Sequence, residues 1–464
     1  MKQRTIALLL TAALGISLLG ITALAVEGGD MPAPDTSASQ PETIHTPDEM
    51  TVSPEEPPLQ SEEQSGTEEE KGSFDTSFEE YIPDPVGSIS FSNVERRMRE
   101  GNLQIKALQE SIEIIDEIDY DKLKDQLRYQ LNELAKNQWN LVTSSKQLIQ
   151  AGIMSDYEYH SAYDQLDRAY DAVRKQFDDI TEGDMQENNA DTKRQLQSLQ
   201  NQIIMAGEAT YIALAAMELQ EDGLERQLTA LDRQLTELDL RYQLGHISSM
   251  TLKQARSGRA ALDSGLSTLR MNLDTYKGQF ELLIGADITG RISLNTLPKV
   301  TNKDLDRMDL EKDLEKAKEN SWDIYQATET MQEELKTYNG HGGEFGYTYK
   351  KDDSDYMRIR HNWYTAKYTY DNTIQNFELG LRNLYLKVQD YRQILDAAKT
   401  ALAVEQDNYA VAQLKQSQGT LSQNGLLEAE DKLKQAGEKV AAGENDLFSA
   451  YNTYRWAVDY GIMN

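Results

Sequence analysis

Arg241-Tyr242-Gln243-Leu244-Gly245-His246-Ile247-Ser248-Ser249-Met250-Thr251-Leu252 is the stretch on which the fold turns. Glycine at 245 ends one helix by taking the left-handed conformation. Serine at 248 accepts from the free amides that open the next helix. Apolar residues flank this turn at alternating steps of four and three. They are Leu231, Leu235, Leu238 and Tyr242 before it, and Leu262, Leu266, Leu269, Leu273, Tyr276, Phe280 and Leu283 after it. A sustained seven-residue repeat belongs to supercoiled helices packed knob into hole. The stretch therefore reads as the tip of a long antiparallel helical hairpin. The phrase returns 174 residues later as Gly419-Thr420-Leu421-Ser422, with Leu426 and Ala429 where the first copy has Leu252 and Ala255. A further copy is Gly152-Ile153-Met154-Ser155, in which Glu158 completes a capping box with Ser155.

Working outward, the pattern predicts helices over 120–151, 156–180, 192–244, 250–284, 305–337, 356–415 and 424–460. An amphipathic opening segment covers 89–116, with Ser92 as a candidate cap. Loops are expected at 181–191 and 285–302. The Gly-rich piece 339–349 reads as irregular, with Phe345 to Tyr349 as at most one short strand. The last helix carries the seam Leu426, Ala429, Leu433, Ala436, Val440, Gly443, Leu447, Ala450 and Tyr454. Its small residues permit close helix approach. Glu100-Gly101-Asn102-Leu103 resembles Glu319-Asn320-Ser321-Trp322, so the chain reads as two repeats, about 88–290 and 303–461, within a helical domain at 86–464. The fold class is all-α: long antiparallel helical hairpins with coiled-coil packing and little or no β.

Composition sets the outer limits. Lys2, Arg4, an apolar run over 6–24 and Ala23-Leu24-Ala25 read as a signal peptide over residues 1–25. Thr11, Gly15, Ser17, Gly20 and Thr22 weaken the alternative, a retained anchor. Residues 26–85 form an acidic Pro/Glu-rich linker expected to be disordered. Among the 464 residues there is no cysteine, which excludes disulfides and thiol chemistry. A net charge of −31 with no basic stripe excludes nucleic acid as a partner. His45, His160, His246, His341 and His361 are scattered and form no metal-ligand pattern. No nucleophile, paired carboxylate or phosphate loop stands out, so neither a catalytic residue nor a metal or cofactor is assigned, and the chain does not read as an enzyme.

Taken in order, the tips, the two repeats and Leu282-Leu283-Ile284-Gly285 resemble the TolC family of outer-membrane efflux proteins, over most of residues 88–461. The resemblance implies a homotrimeric helical conduit in the cell envelope. It implies a membrane-fusion-type adaptor and an ABC- or other-type export pump as partners. Gly245, Ile247, Ser248, Gly419, Leu421 and Ser422 would then be the adaptor-facing tips. Gly152, Met154 and Ser155 have no place in the family's two-repeat plan and are expected to be an extra docking tip or a brace. Family members insert a β-hairpin into each repeat to build a membrane barrel. Here the matching stretches are the acidic 177–192 and the short 345–349, which Lys350-Lys351-Asp352-Asp353 cuts off. Neither supplies the roughly ten alternating residues a membrane strand needs. The other reading of the chain is a coiled-coil spacer or scaffold of the envelope.

Overall fold

The computed structural model describes residues 83–463, so the signal peptide, nearly all of the acidic linker and His45 lie outside the described residues. The described chain is all-α, with one two-residue parallel strand pair, β1 (Ser88–Ile89) and β2 (Ser293–Leu294). The helices are α1 (Val94–Gly101), α2 (Leu103–Asp116), α3 (Tyr120–Gln150), α4 (Asp156–Glu182), α5 (Asp184–Gln243), α6 (Ser249–Leu283), α7 (Asn302–Asp306), α8 (Leu310–Asn320), α9 (Trp322–Gly340), α10 (Gly343–Lys350), α11 (Ser354–Ser417) and α12 (Gln423–Tyr460). At 60 residues α5 is a rod of about 90 Å. No helix among the described residues is long and apolar enough to cross a membrane.

Four long helices form the body. α6 packs on α5, α5 on α12, and α12 on α11, whose first part is also covered by α9, so that α6 and the rest of α11 lie at the edges of the layer. The heptad seams face inward as the sequence requires: Leu266, Leu273 and Phe280 on α6 are buried, as are Ala436, Gly443, Leu447, Ala450 and Tyr454 on α12. The main core lies at the end of the layer away from the Gly245 turn. There Val94, Met98, Ile204, Tyr211, Phe280, Phe448 and Trp456 pack together. Phe91 meets the rings of Tyr211 and Phe448 edge on, at 5.6 and 4.8 Å. A second cluster gathers Leu314, Ala317, Ile324, Leu381, Val388 and Leu447 between α8, α9, α11 and α12.

Two joints tie the short helices to the long ones, and they are built alike. Asn102 caps α2 by accepting from the Gln104 and Ile105 amides, while its Nδ2 donates to the Leu283 carbonyl at 2.9 Å. Ser321 caps α9, and the adjacent Asn320 donates through Nδ2 to the Val458 carbonyl at 3.2 Å. At the first joint Gly101 lies directly against Ile284 and Gly285; at the second, Gly461 lies against Asn320 and Ser321. The contact is so close that a Cβ on Gly101, Gly285 or Gly461 would run into neighbouring backbone.

Several local expectations fail for tertiary reasons. The expected loop at 181–191 is a single residue: Gly183 turns left-handed (φ 95°) and α5 begins at once. The acidic composition misled, because one left-handed glycine is enough to break a helix. The piece 343–350 is a helix rather than a strand. The Tyr356 hydroxyl donates to the Gly343 carbonyl at 2.6 Å, and Gly346 lies under the Tyr356 ring, which fixes a tight helical turn. The expected helix over 305–337 is broken into α7, α8 and α9 by the caps Asp309 and Ser321. Likewise 89–116 is β1, a 3-10 turn at Phe91–Asn93, α1 and α2. Ser92 sits inside that turn and caps nothing; Asn93 precedes α1 without a side-chain capping bond. The linker 285–302 contains β2, and Glu281 pins it. This carboxylate is 2% exposed and accepts from the amides of Thr289, Gly290, Arg291 and Ile292 and the Thr289 hydroxyl. Burial alone would push its pKa up. The bonds from Gly290, Thr289 and Arg291 outweigh that and hold it below the ordinary 4.5.

Candidate functional site

The three Gly-x-apolar-Ser turns have one geometry. Gly152, Gly245 and Gly419 adopt φ of 68°, 77° and 70°. In each, the residue after the glycine donates its amide five residues back: Ile153 to Leu148, His246 to Arg241 and Thr420 to Lys415, at 2.9, 2.8 and 2.9 Å. That is the Schellman closure of a helix. The serine three residues on then accepts the amide of Glu158, Thr251 or Gly425, at 3.2, 3.1 and 3.1 Å. Glu158 returns a carboxylate to the Ser155 amide at 2.7 Å, so the capping box at this turn is present. These hydrogen bonds hold the Glu158 pKa below its ordinary value. Met154, Ile247 and Leu421 are half-buried, whereas Leu244 and Met250 beside them are exposed at 62% and 61%.

The fold brings two of the three tips together. Asn424 Nδ2 donates to Glu237 at 3.3 Å across the start of the two hairpins, α5–α6 and α11–α12. Arg233 pairs with Asp431, and Arg226 with Glu438, further down the same seam. The steps are four and seven residues on α5 and seven and seven on α12, and the numbers run oppositely, so α5 and α12 are antiparallel. Gly245, Ile247 and Ser248 thus lie at the same end as Gly419, Leu421 and Ser422. A small furrow of about 30 Å³ between them is lined by Arg233, Gln234, Glu237, Asn424 and Asp431. Within the first hairpin the ion pairs Arg256–Asp239 (2.8 Å), Arg259–Asp232 (2.7 Å) and Lys277–Glu218 (2.6 Å) lace α6 to α5. The hydrogen bond from Arg259 holds Asp232 below the usual carboxylate value.

Gly152, Met154 and Ser155 are elsewhere. Antiparallel to α5, α2 moves away from the Gly245 tip: Gln200 Nε2 donates to the Ile105 carbonyl at 3.3 Å, Lys193 to Asp116 at 2.7 Å and Asn189 to the Tyr120 hydroxyl at 2.8 Å. The hairpin α3–α4 therefore leaves the body at the opposite end from the paired tips.

The sequence reading did not pick out the inter-hairpin ion pairs. Their signal was present as Arg226 and Arg233 on one heptad position of α5 and Asp431 and Glu438 on one of α12. It also missed Glu208, 3% exposed in the seam between α5 and α12. Glu208 accepts from Asn452 Nδ2 (2.8 Å) and Trp456 Nε1 (2.7 Å), with Arg455 at 3.5 Å. Burial pushes its pKa up, against Arg455, Trp456 and Asn452. Among the described residues no group of three or more His, Asp or Glu is placed to hold a metal.

No family model matches the sequence, and neither does any curated protein. Solved structures do. A membrane protein from Pseudomonas aeruginosa is similar at 10% identity and a TM-score of 0.48, over 80% of this chain and 90% of that one. The CmeC outer membrane channel of Campylobacter jejuni is similar at 14% identity and a TM-score of 0.43, over 63% and 68%. The outer membrane protein VceC of Vibrio cholerae is similar at 13% identity and a TM-score of 0.41, over 59% and 73%.

Proposed function

We propose that this chain is a TolC-like export component of the cell envelope: a helical conduit, closed by three copies, whose paired tips dock on a membrane-fusion-type adaptor coupled to a pump. The observation that carries the reading is the open layer. α6 and the part of α11 beyond α9 are edge helices, and α11 keeps Leu379, Leu386, Ile394, Val404 and Val411 in solvent at 47–62% exposure. These residues run along one side of the helix for about 50 Å. An apolar stripe of that length on a long exposed helix calls for another helix. A head-to-tail contact between the α6 edge and the α11 edge of the next copy closes a ring, and the two tips of every copy then face the same way. Ile247 and Leu421 offer the apolar part of the docking contact, and the furrow lined by Glu237 and Asn424 the polar part.

The test is the native mass of the chain from residue 26 onward, without detergent and over a range of concentrations. A concentration-independent trimer is expected; a monomer at every concentration overturns the ring. Ile247→Asp and Leu421→Asp, both at half-buried positions of the tip turns, are expected to keep the native mass and abolish binding to the adaptor. Unchanged binding by both variants removes the docking role.

A further inference from the structure

We infer that the groove between α9 and the first part of α11 is a binding site for a linear polyamine, a chain of methylenes with ammonium groups at its ends. The cavity measures about 830 Å³, within the range of small-molecule sites, roughly 300–1,000 Å³. Its two walls are antiparallel: Ile324 packs in one cluster with Phe377 at one end, and the rings of Tyr338 and Trp363 stack at 6.5 Å at the other. From α9, Asp323, Gln326, Thr330 and Glu334 line it, at steps of three and four that keep one face of the helix on the groove. The site is complete within one chain.

Charge and hydrogen bonding select a cationic ligand. Asp323 and Glu334 are the charged residues of the lining, and neither has an ion-pair partner among the described residues. The surroundings do not cancel them. α9 carries Asp323, Glu329, Glu333 and Glu334 against Lys336, and residues 362–377 of α11 carry Asp371 against Lys367. The Thr330 hydroxyl donates to the Gln326 carbonyl and the Thr373 hydroxyl to that of Thr369, each at 2.9 Å. Their protons are thereby used, and both oxygens are left as acceptors. The two carboxylates accept only, while the amides of Gln326, Asn362 and Asn376 can do either. A lining so rich in acceptors is met by a ligand rich in N–H donors.

Spacing selects a linear one. Asp323 and Glu334 lie eleven residues apart, three turns, so they stand on one face of α9 about 16 Å from each other. A metal ion or a single ammonium cannot reach both. Extended spermine can, since its terminal ammoniums have a like separation. Ala327, Ala366, Phe377 and Met463 give the groove apolar surface for the methylenes, and Thr330 and Thr369 offer oxygens to the inner amines.

The test is isothermal titration calorimetry on the chain from residue 26 onward at about 0.15 M salt, which screens unspecific attraction to an acidic protein. Spermine is expected to bind at one site per chain. Asp323→Asn and Glu334→Gln are each expected to weaken it roughly fivefold, the value of one exposed ion pair, whereas Glu333→Gln removes the same charge outside the groove and leaves the affinity unchanged. Thr369→Lys puts an ammonium into the middle of the groove and is expected to abolish binding while the melting curve of the chain stays the same. Two ligands of equal charge test the spacing. Dodecamethylenediamine should bind, and putrescine, which reaches one carboxylate at a time, should bind roughly fivefold more weakly. No binding of spermine overturns the site. So does a loss in Glu333→Gln equal to that in Glu334→Gln, or equal affinity for the two diamines, since either assigns the attraction to net charge alone.

Discussion

Gly245 and Gly285 end the two helices of one hairpin in the same left-handed turn, at φ 77° and 68°, and their surroundings are opposite. A Cβ on Gly245 would meet nothing within 4 Å, and the same holds at Gly152 and Gly419. A Cβ on Gly285 would strike the Gly101 backbone, and one on Gly461 would strike Ser321. The glycines of the tips answer only to their own backbone; those of the joints answer to the packing of the whole body. Stability is therefore concentrated at the joint end. The tip end carries little of it, which is the condition under which a surface can be given over to a partner.

The largest effect separates the two ends directly. Gly285→Ala and Gly461→Ala combine a left-handed backbone with a backbone clash that no side-chain rotation relieves. Each is expected to cost on the order of 3 kcal/mol or more by urea unfolding. Gly245→Ala and Gly419→Ala carry the conformational penalty alone, about 1 kcal/mol. Equal losses at both ends would erase the distinction.

Glu208 comes next, since it belongs to the joint end and links the two hairpins. Glu208→Ala leaves Trp456 Nε1 and Asn452 Nδ2 buried without an acceptor, at an expected cost of about 2 kcal/mol. Glu208→Gln keeps one acceptor oxygen and should cost less. With its folded pKa raised, Glu208 favours the folded state most in acid, and its contribution declines as pH rises from the unfolded value through the folded one. The Gln variant should lack that decline in melts followed across pH. Glu281 has the opposite sign. Its folded pKa is depressed, so its stabilisation is present above 4.5 and is lost as pH falls through the folded value. Glu281→Gln is expected to cost about 2 kcal/mol at neutral pH and to flatten the acid limb of the stability profile.

What could be read in the sequence divides along the same line. The tips were legible because their rules are local: glycine, serine and heptad steps within a dozen residues settle a Schellman closure and a cap. The seam at Leu266, Leu273 and Phe280 was legible because periodicity alone names a buried face. The joints were not, because Gly101 and Gly285 are meaningful only together, far apart in the chain. The helix α10 was hidden for a like reason, since it depends on Tyr356 meeting Gly343 and Gly346. For the candidate site, each turn could be drawn from the sequence, but not which turns meet. That pairing rests on Asn424 with Glu237 and on the ion pairs below them, and the separate place of Gly152 rests on Asn189 with Tyr120.

The smallest effect is the most exacting for the claim that the tips stand free. Ser248 and Ser422 each satisfy one amide of the helix they open, and both are exposed. Ser248→Ala and Ser422→Ala should each cost about 1 kcal/mol, the value of a lost cap and nothing more. The two sites lie on different hairpins and share no partner, so the double variant should cost the sum. A loss well above the sum, measured on the isolated chain by urea unfolding, would mean that the tips support each other through Glu237 and Asn424. The tip end would then be a packed element in its own right. A loss equal to the sum leaves the tips as independent caps, with Ile247, Leu421 and the furrow between them free to be covered by another protein.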